Sequence, residues 1–204
     1  MHKEVLTARQ TELLPIIKSF KREFYLVEGT AIALYIGHRR SIDFDLFKKT
    51  TINHKNILSK LNKFPYPYII TRKVPEQLNL TLNEVKITFF EYPFLINASC
   101  EFEKSLRLPE LLDLAAMKAY ALGRRSKWKD YVNLYFLLKD HFSIHQISAR
   151  ASQIFESLFL EKLFRSQLSY FADIDYSESV EFLAPSVPEK EIREFLIEKA
   201  IDLE

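Results

Sequence analysis

The stretch Glu28 to Phe47, EGTAIALYIGHRRSIDFDLF, constrains the fold more than any other part of the chain. It reads as a turn (Glu28-Gly29-Thr30), a short helix (Ala31 to Ile36), a glycine stop and a strand. An apolar run, Phe24 to Val27, precedes it as the first strand. Gly37 suits the left-handed position just past a helix end, where a missing Cβ removes the steric cost. Ser41 to Phe47 alternates, and residues i and i+2 of a strand point the same way. Asp43 and Asp45 are therefore expected on one face, and Ile42, Phe44 and Leu46 in the core.

Two close carboxylates repel unless a cation lies between them. Hard oxygen ligands suit Mg²⁺, which keeps several waters and is commonly completed by substrate phosphates. Upstream, Gly29 allows close backbone approach, and the N–H groups of Thr30 and Ala31 open a helix, which attracts anions. Phosphate at Gly29 and Thr30 with metal at Asp43 and Asp45 makes a nucleoside triphosphate (NTP) site. His38 is positioned to contact phosphate or to cap the helix end. Arg39 and Arg40 are alternative neutralisers of the two aspartates. The same residues also suit a surface strand with two solvated acids beside an ordinary turn.

The rest of the first half alternates helices and strands. Thr11 to Arg22 reads as a helix with Thr11 as N-cap and Pro15 near its start. Ile52 to Phe64 has apolar residues at helical spacing and ends at Pro65 and Pro67. Tyr68 to Arg72 reads as a strand, and Leu78–Leu82 with Val85–Phe90 as a hairpin around Asn83-Glu84. The expected fold class is α+β: a mixed sheet with flanking helices over 1–104, followed by a helical domain over 105–204.

From Pro109 the pattern is helical. Pro109 suits a first helical position and Gly123 a stop. Between them Leu111, Leu114, Ala115, Lys118, Ala121 and Leu122 share a face, so Lys118 is a cation on an apolar stripe. It either snorkels to water or serves phosphate as a point charge. Asp130 and Asn133 fall on the matching side of the next helix (Asp130 to Leu138), facing Lys118 across an antiparallel pair. Arg124, Arg125, Lys127 and Lys129 surround Trp128, a composition that binds phosphate and stacks a base, or else forms a solvated loop anchored by the indole. Ser152 to Phe171 and Pro188 to Leu203 read as two further helices around a linker at Ala184-Pro185.

The Glu28–Phe47 stretch resembles the signature of the AbiEii/AbiGii-type nucleotidyltransferases of the polymerase β-like superfamily, many of which are toxins of type IV toxin–antitoxin or phage-abortive systems. The usual form is Gly-Gly-Thr/Ser, a spacer with Gly-His-Arg, then a hydrophobic-x-Asp-x-Asp strand; Glu28 stands in place of the first glycine. LPELLDLAAMKAYALGRRSKWKDYVNLYFLL is similar to that family's helical motifs, with Asp113, Lys118, Lys129 and Asp130 matching and Asn133 standing where a second Asp is common. The resemblance covers about residues 20 to 140.

It implies a Mg²⁺-dependent enzyme moving a nucleotide from an NTP to an acceptor hydroxyl, on RNA and by family analogy the 3′ end of tRNA, with a cognate antitoxin as partner. Asp43 and Asp45 would bind metal, Gly29, Thr30, His38 and Arg39 the nucleotide, and Lys118 the triphosphate, with Asp130 orienting Lys118. The family's third carboxylate falls at Thr88, which is a poor metal ligand and no base. Glu91, out of phase on a regular strand, and Glu28 are the substitutes to consider. The departure at Thr88 also fits a catalytically degenerate relative that binds nucleotide or RNA.

Composition narrows the setting. The 204 residues are 48% hydrophobic and 27% charged, enough for a buried core. One cysteine, Cys100, allows no internal disulfide, and no long apolar run or secretion signal is present, so a cytoplasmic protein off the membrane is expected. The net charge of +2 divides into −7 over 173–204 and +9 before it. A basic body fits phosphate-rich partners, unless the acidic end packs over it. In that case the last 32 residues would hold an active enzyme off.

Overall fold

The computed structural model describes residues 1–122, 124–183 and 185–202. The expected helix stop at Gly123, the linker residue Ala184 and the helix end at Leu203 lie outside the described residues. The chain divides into two compact units, Met1–Glu110 and Leu111–Glu204.

The first unit is a mixed sheet with three α-helices. The chain runs α1 (Ala8–Lys18), β1 (Tyr25–Val27), α2 (Glu28–Ile36), β2 (Phe44–Lys48), α3 (His54–Leu61), β3 (Tyr68–Val74), β4 (Gln77–Leu82), β5 (Val85–Glu91), then a small hairpin of β6 (Cys100–Phe102) and β7 (Leu106–Leu108). The sheet order is β1-β2-β5-β4-β3, with β2 and β5 parallel and the other pairs antiparallel. One sheet face is apolar. Leu26, Phe44, Leu46, Leu78, Leu80, Leu82, Ile87 and Phe89 are buried there. The Phe20 and Phe24 rings meet Phe89 edge-on at 4.9 and 5.2 Å, a preferred aromatic geometry.

Several boundaries differ from the sequence expectation, each for a local reason. The first helix starts at Ala8, not Thr11, because Thr7 and Gln10 form a capping box, which satisfies two orphan N–H groups. Pro15 consequently lies inside the helix. The second helix begins at Glu28 rather than Ala31. The strand expected from Ser41 is paired only from Phe44, and Ile42 is 49% exposed rather than in the core. The hairpin around Asn83-Glu84 is as read, with both turn residues at positive φ (48° and 62°), as a type I′ turn requires. The β6–β7 hairpin has no counterpart in the sequence pattern. Its strands are too short to show alternation, and its turn uses Glu103 and Lys104 at positive φ instead of a glycine.

The second unit is helical: α4 (Leu111–Leu122), α5 (Trp128–Asp140), α6 (Ile144–Phe155), α7 (Glu161–Leu168) and α8 (Glu189–Ile201). Pro109 precedes α4 and is not its first residue. The single helix read over Ser152 to Phe171 is the end of one α-helix and the whole of another, with a 3-10 turn (Glu156–Leu158) between them. Ser143 and Gln146 cap α6 with a second capping box, and Glu156 at φ 51° breaks the chain before α7. Among the described residues no helix is long and apolar enough to cross a membrane.

Candidate functional site

In the first unit the site is built around the start of α2. Val27, the N-cap residue, gives no side-chain cap, so the first N–H groups of the helix are not satisfied in that way. Such an end attracts anions. Glu28 opens the helix at φ 60°, a left-handed conformation that costs a residue with a Cβ roughly 1 kcal/mol or more. That is the position where the resembling family usually carries glycine.

Gly29 does permit a close approach, and the group that uses it is Arg39. A Cβ on Gly29 would stand 2.5 Å from Arg39 Nη2 and 3.3 Å from Ser41 Oγ. The Arg39 guanidinium is buried, and its Nη1 donates to the Arg40 carbonyl at 2.8 Å. A fixed cation thus lies against the anion-attracting helix end. Thr30 is also buried. Its hydroxyl donates to the Asp43 carbonyl and shares a 2.8 Å hydrogen bond with Ser41 Oγ. The Thr30 side chain therefore holds the aspartate loop instead of being presented to a ligand.

Asp43 sits immediately ahead of β2 and Asp45 is its second residue; both are half-buried. The buried Gln10 also reaches the Asp43 carbonyl, through Nε2 at 3.5 Å. Ser41 and Gln10 are the parts that sequence reasoning missed. The polar Ser41 at the strand entrance was visible, but the partnership of Gln10, 33 positions away, was not. His38 is buried one residue past Gly37, at the C-terminal end of α2. Gly37 itself is at φ 72° with its N–H on the Ala33 carbonyl, the helix stop expected.

Register places the residue opposite Asp45. In the parallel β2–β5 pair Asp45 aligns with Thr88, and Lys48 with Glu91. Thr88 shares the outward face with Asp45, whereas Glu91 is out of phase and no bulge in β5 re-aims it. Among the described residues no three His, Cys, Asp or Glu side chains group as a metal site. Two carboxylates in an i, i+2 pair still suit Mg²⁺, whose remaining positions phosphate oxygens and water fill.

In the second unit Lys118 and Asp130 meet as the helix faces implied. Lys118 Nζ is 2.6 Å from Asp130 Oδ1, and both side chains are buried, so Lys118 does not snorkel. Arg125 Nε lies 2.8 Å from the other carboxylate oxygen. Burial alone would push the Asp130 carboxyl up; the charges of Lys118 and Arg125 outweigh it and hold it well below the usual range. Asn133 is buried further along the same helix, and Asp113 pairs with Arg150.

The cationic run is engaged within its own unit. Lys127 and Lys129 both bind Glu178, at 2.6 and 3.1 Å, and Ser126 Oγ donates to Asp173 at 3.1 Å. Burial raises the Glu178 carboxyl, but its two lysines bring it down to about 2. Trp128 is buried against Tyr131 and Tyr176, so it anchors the helix and offers no free face for a base.

No known protein-family model matches the sequence. The chain is 28% identical over 159 residues to an uncharacterized protein of Aquifex aeolicus, covering 74% of this chain and 75% of that one. Solved structures share its fold. The Helicobacter pylori protein JHP933 has a TM-score of 0.62 at 17% identity, covering 96% of this chain and 91% of its own. A structure from H. pylori described as a candidate nucleotidyltransferase has a TM-score of 0.60 at 15% identity, covering 94% and 91%. MenT4, a nucleotidyltransferase toxin of Mycobacterium tuberculosis, has a TM-score of 0.61 at 10% identity, covering 95% and 82%. The chain therefore has the nucleotidyltransferase fold, shared with structures that include a bacterial toxin.

Proposed function

We propose that the protein is a Mg²⁺-dependent nucleotidyltransferase that moves a nucleotide from an NTP to an acceptor hydroxyl on RNA, the 3′ end of tRNA being the acceptor implied by family likeness, and that it acts as the toxin of a toxin–antitoxin or phage-abortive system. The observation that carries this reading is the tie between the α2 start and the aspartate loop: Thr30, bonded to Ser41, holds the Asp43 carbonyl near a helix start against which Arg39 packs at Gly29, and Asp45 follows two residues later in β2. The fold shared with MenT4 supports it.

When bound, the metal would supply charge neutralisation at the triphosphate and a lowered pKa for the attacking hydroxyl. Asp43 and Asp45 would hold it. The α2 N–H groups and Arg39 would bind phosphate and orient it for attack. The acceptor oxygen forms its bond to the α-phosphorus, the bond from that phosphorus to the bridging oxygen breaks, and pyrophosphate leaves with the electron pair. Thr88 offers no base, and the hydroxyl proton passes to water or to a carboxylate of the site, Glu28 at the α2 start among them. In the helical unit the reading gives Lys118 the triphosphate charge and Asp130 its orientation; the 2.6 Å pair supports the second role.

The test incubates purified protein and Mg²⁺ with each labelled NTP and total RNA, with Asp43→Ala and Asp45→Ala alongside. Label in a discrete RNA band, reduced at least about a hundredfold in either variant, is expected, since several kcal/mol of transition-state stabilisation is removed. Retained transfer in Asp43→Ala would sink the assignment. One observation favours a second reading, a catalytically degenerate nucleotide- or RNA-binding protein: Thr88, not a carboxylate, stands directly opposite Asp45. It predicts Mg²⁺-dependent NTP binding with no product on any acceptor.

A further inference from the structure

The sheet face that carries Asp45 continues across three more strands. Asp45 aligns with Thr88 on β5, Thr88 with Asn79 on β4, and Asn79 with Arg72 on β3. The four side chains form one row on the outward face. At about 4.8 Å between strands, the row runs about 14 Å from the aspartate to the sheet edge.

Arg72 reaches this face through a device in the backbone. On β3 Ile69 pairs with Thr81 and Ile70 with Leu80, so strict alternation would turn Arg72 toward the apolar side. The register shifts between Ile70 and Arg72, and Arg72 comes to pair with Asn79 instead. A β-bulge has re-aimed the guanidinium onto the row.

The chemistry of the face is specific. Arg72 and Lys86 are its exposed cations, and the outward positions of β3, β4 and β5 carry no carboxylate. Beside the row, Phe90 is half-buried, its ring 5.1 Å from Phe47. Gln77, paired with Phe90, donates through Nε2 to Asn79 Oδ1 at 2.9 Å. Cations for phosphate, an aromatic face for a base and side-chain amides for base edges are what an unpaired polynucleotide binds. A duplex cannot present its bases to a sheet face in this way.

We propose that the outward face of β3, β4 and β5 is the track for a single-stranded nucleic-acid acceptor, with Arg72 gripping its backbone and Phe90 stacking a base so that the terminal hydroxyl arrives at Asp45. The inference rests on the proposed transfer to a nucleic-acid hydroxyl and adds where the acceptor lies and that it must be unpaired. Arg72 and Phe90 position the acceptor and take no part in the chemistry.

The test measures binding of a fluorescein-labelled single-stranded RNA oligonucleotide to the full chain by anisotropy, without NTP, across a salt series. A blunt RNA hairpin is the control, and NTP-induced thermal shift reports the nucleotide site independently. Arg72→Gln, at an exposed position, is expected to weaken single-strand binding about three- to tenfold and to reduce the log–log salt slope by about 0.7, the value for one lost phosphate contact. Phe90→Leu is expected to weaken the single strand more than the hairpin, and neither variant to alter the NTP shift. Equal binding by wild type and Arg72→Gln, equal binding of hairpin and single strand, or no RNA binding at all overturns the proposal. If Arg72→Gln binds normally while Asp45→Ala abolishes transfer, the track fails and the active-site reading stands. If Arg72→Gln loses RNA while no acceptor is ever labelled, the track stands and the enzyme reading fails.

Discussion

The Lys118–Asp130 pair should respond very unequally to loss of its two members. Removing the Asp130 charge (Asp130→Asn) takes away a carboxylate that lies 2.6 Å from a buried ammonium. Lys118 is 2% exposed, so losing that carboxylate's charge costs about 3–5 kcal/mol. Removing Lys118 (Lys118→Met) leaves Asp130 still held by Arg125, whose side chain is 41% exposed and can follow the charge into water. The methionine also fits an apolar helix face and ends the desolvation of an ammonium, so the cost falls to about 1 kcal/mol or less. Urea unfolding reports both. Trp128 is the one tryptophan of the chain and opens α5, so its fluorescence follows the helical unit. A fall in midpoint at constant slope isolates stability. The sign with pH is fixed as well. The Asp130 carboxyl is depressed, so its contribution is fully present above its unfolded value near 4 and disappears as pH falls through its lower folded value. Asp130→Asn should lack that acid-side loss. Equal costs for the two variants, or less than about 1 kcal/mol for Asp130→Asn, would refute the view that two cations share one desolvated carboxylate.

Two further outcomes concern the sheet unit. Glu28→Gly should raise the thermal midpoint of the first unit by an amount equivalent to about 1 kcal/mol, because it relieves φ 60° at a residue with a Cβ; an unchanged or lower midpoint by calorimetry would show that Glu28 makes contacts worth more than the strain. Thr88→Asp places a carboxylate beside Asp45, about 4.8 Å away across the strands, so it should lower the midpoint in chelator and recover it with Mg²⁺. A midpoint indifferent to Mg²⁺ would argue against metal at this face.

Much of the local architecture is written locally. The glycine stop at Gly37, the hairpin at Asn83-Glu84 and the facing of Lys118 and Asp130 depend on backbone geometry and helical period, which short windows of sequence carry. Local too is the capping pattern shared by Thr7 with Gln10 and Ser143 with Gln146, which sets each helix start ahead of where apolar spacing alone puts it.

Other features needed distant parts of the chain. That Gly29 makes room for Arg39, that Gln10 reaches the loop at Asp43, and that Thr88 stands opposite Asp45 follow from pairings of residues far apart in sequence. The bulge in β3 is subtler still. Alternation reads Arg72 onto the apolar side of the strand, and only its pairing with β4 turns it outward. Periodicity in sequence reports which side of an element is apolar, because burial acts on each residue where it stands. It does not report which strand will be the neighbour, or in what register, because hydrogen-bond ladders pair any two extended backbones. That choice was made by the whole sheet packing at once, and it decided what faces Asp45.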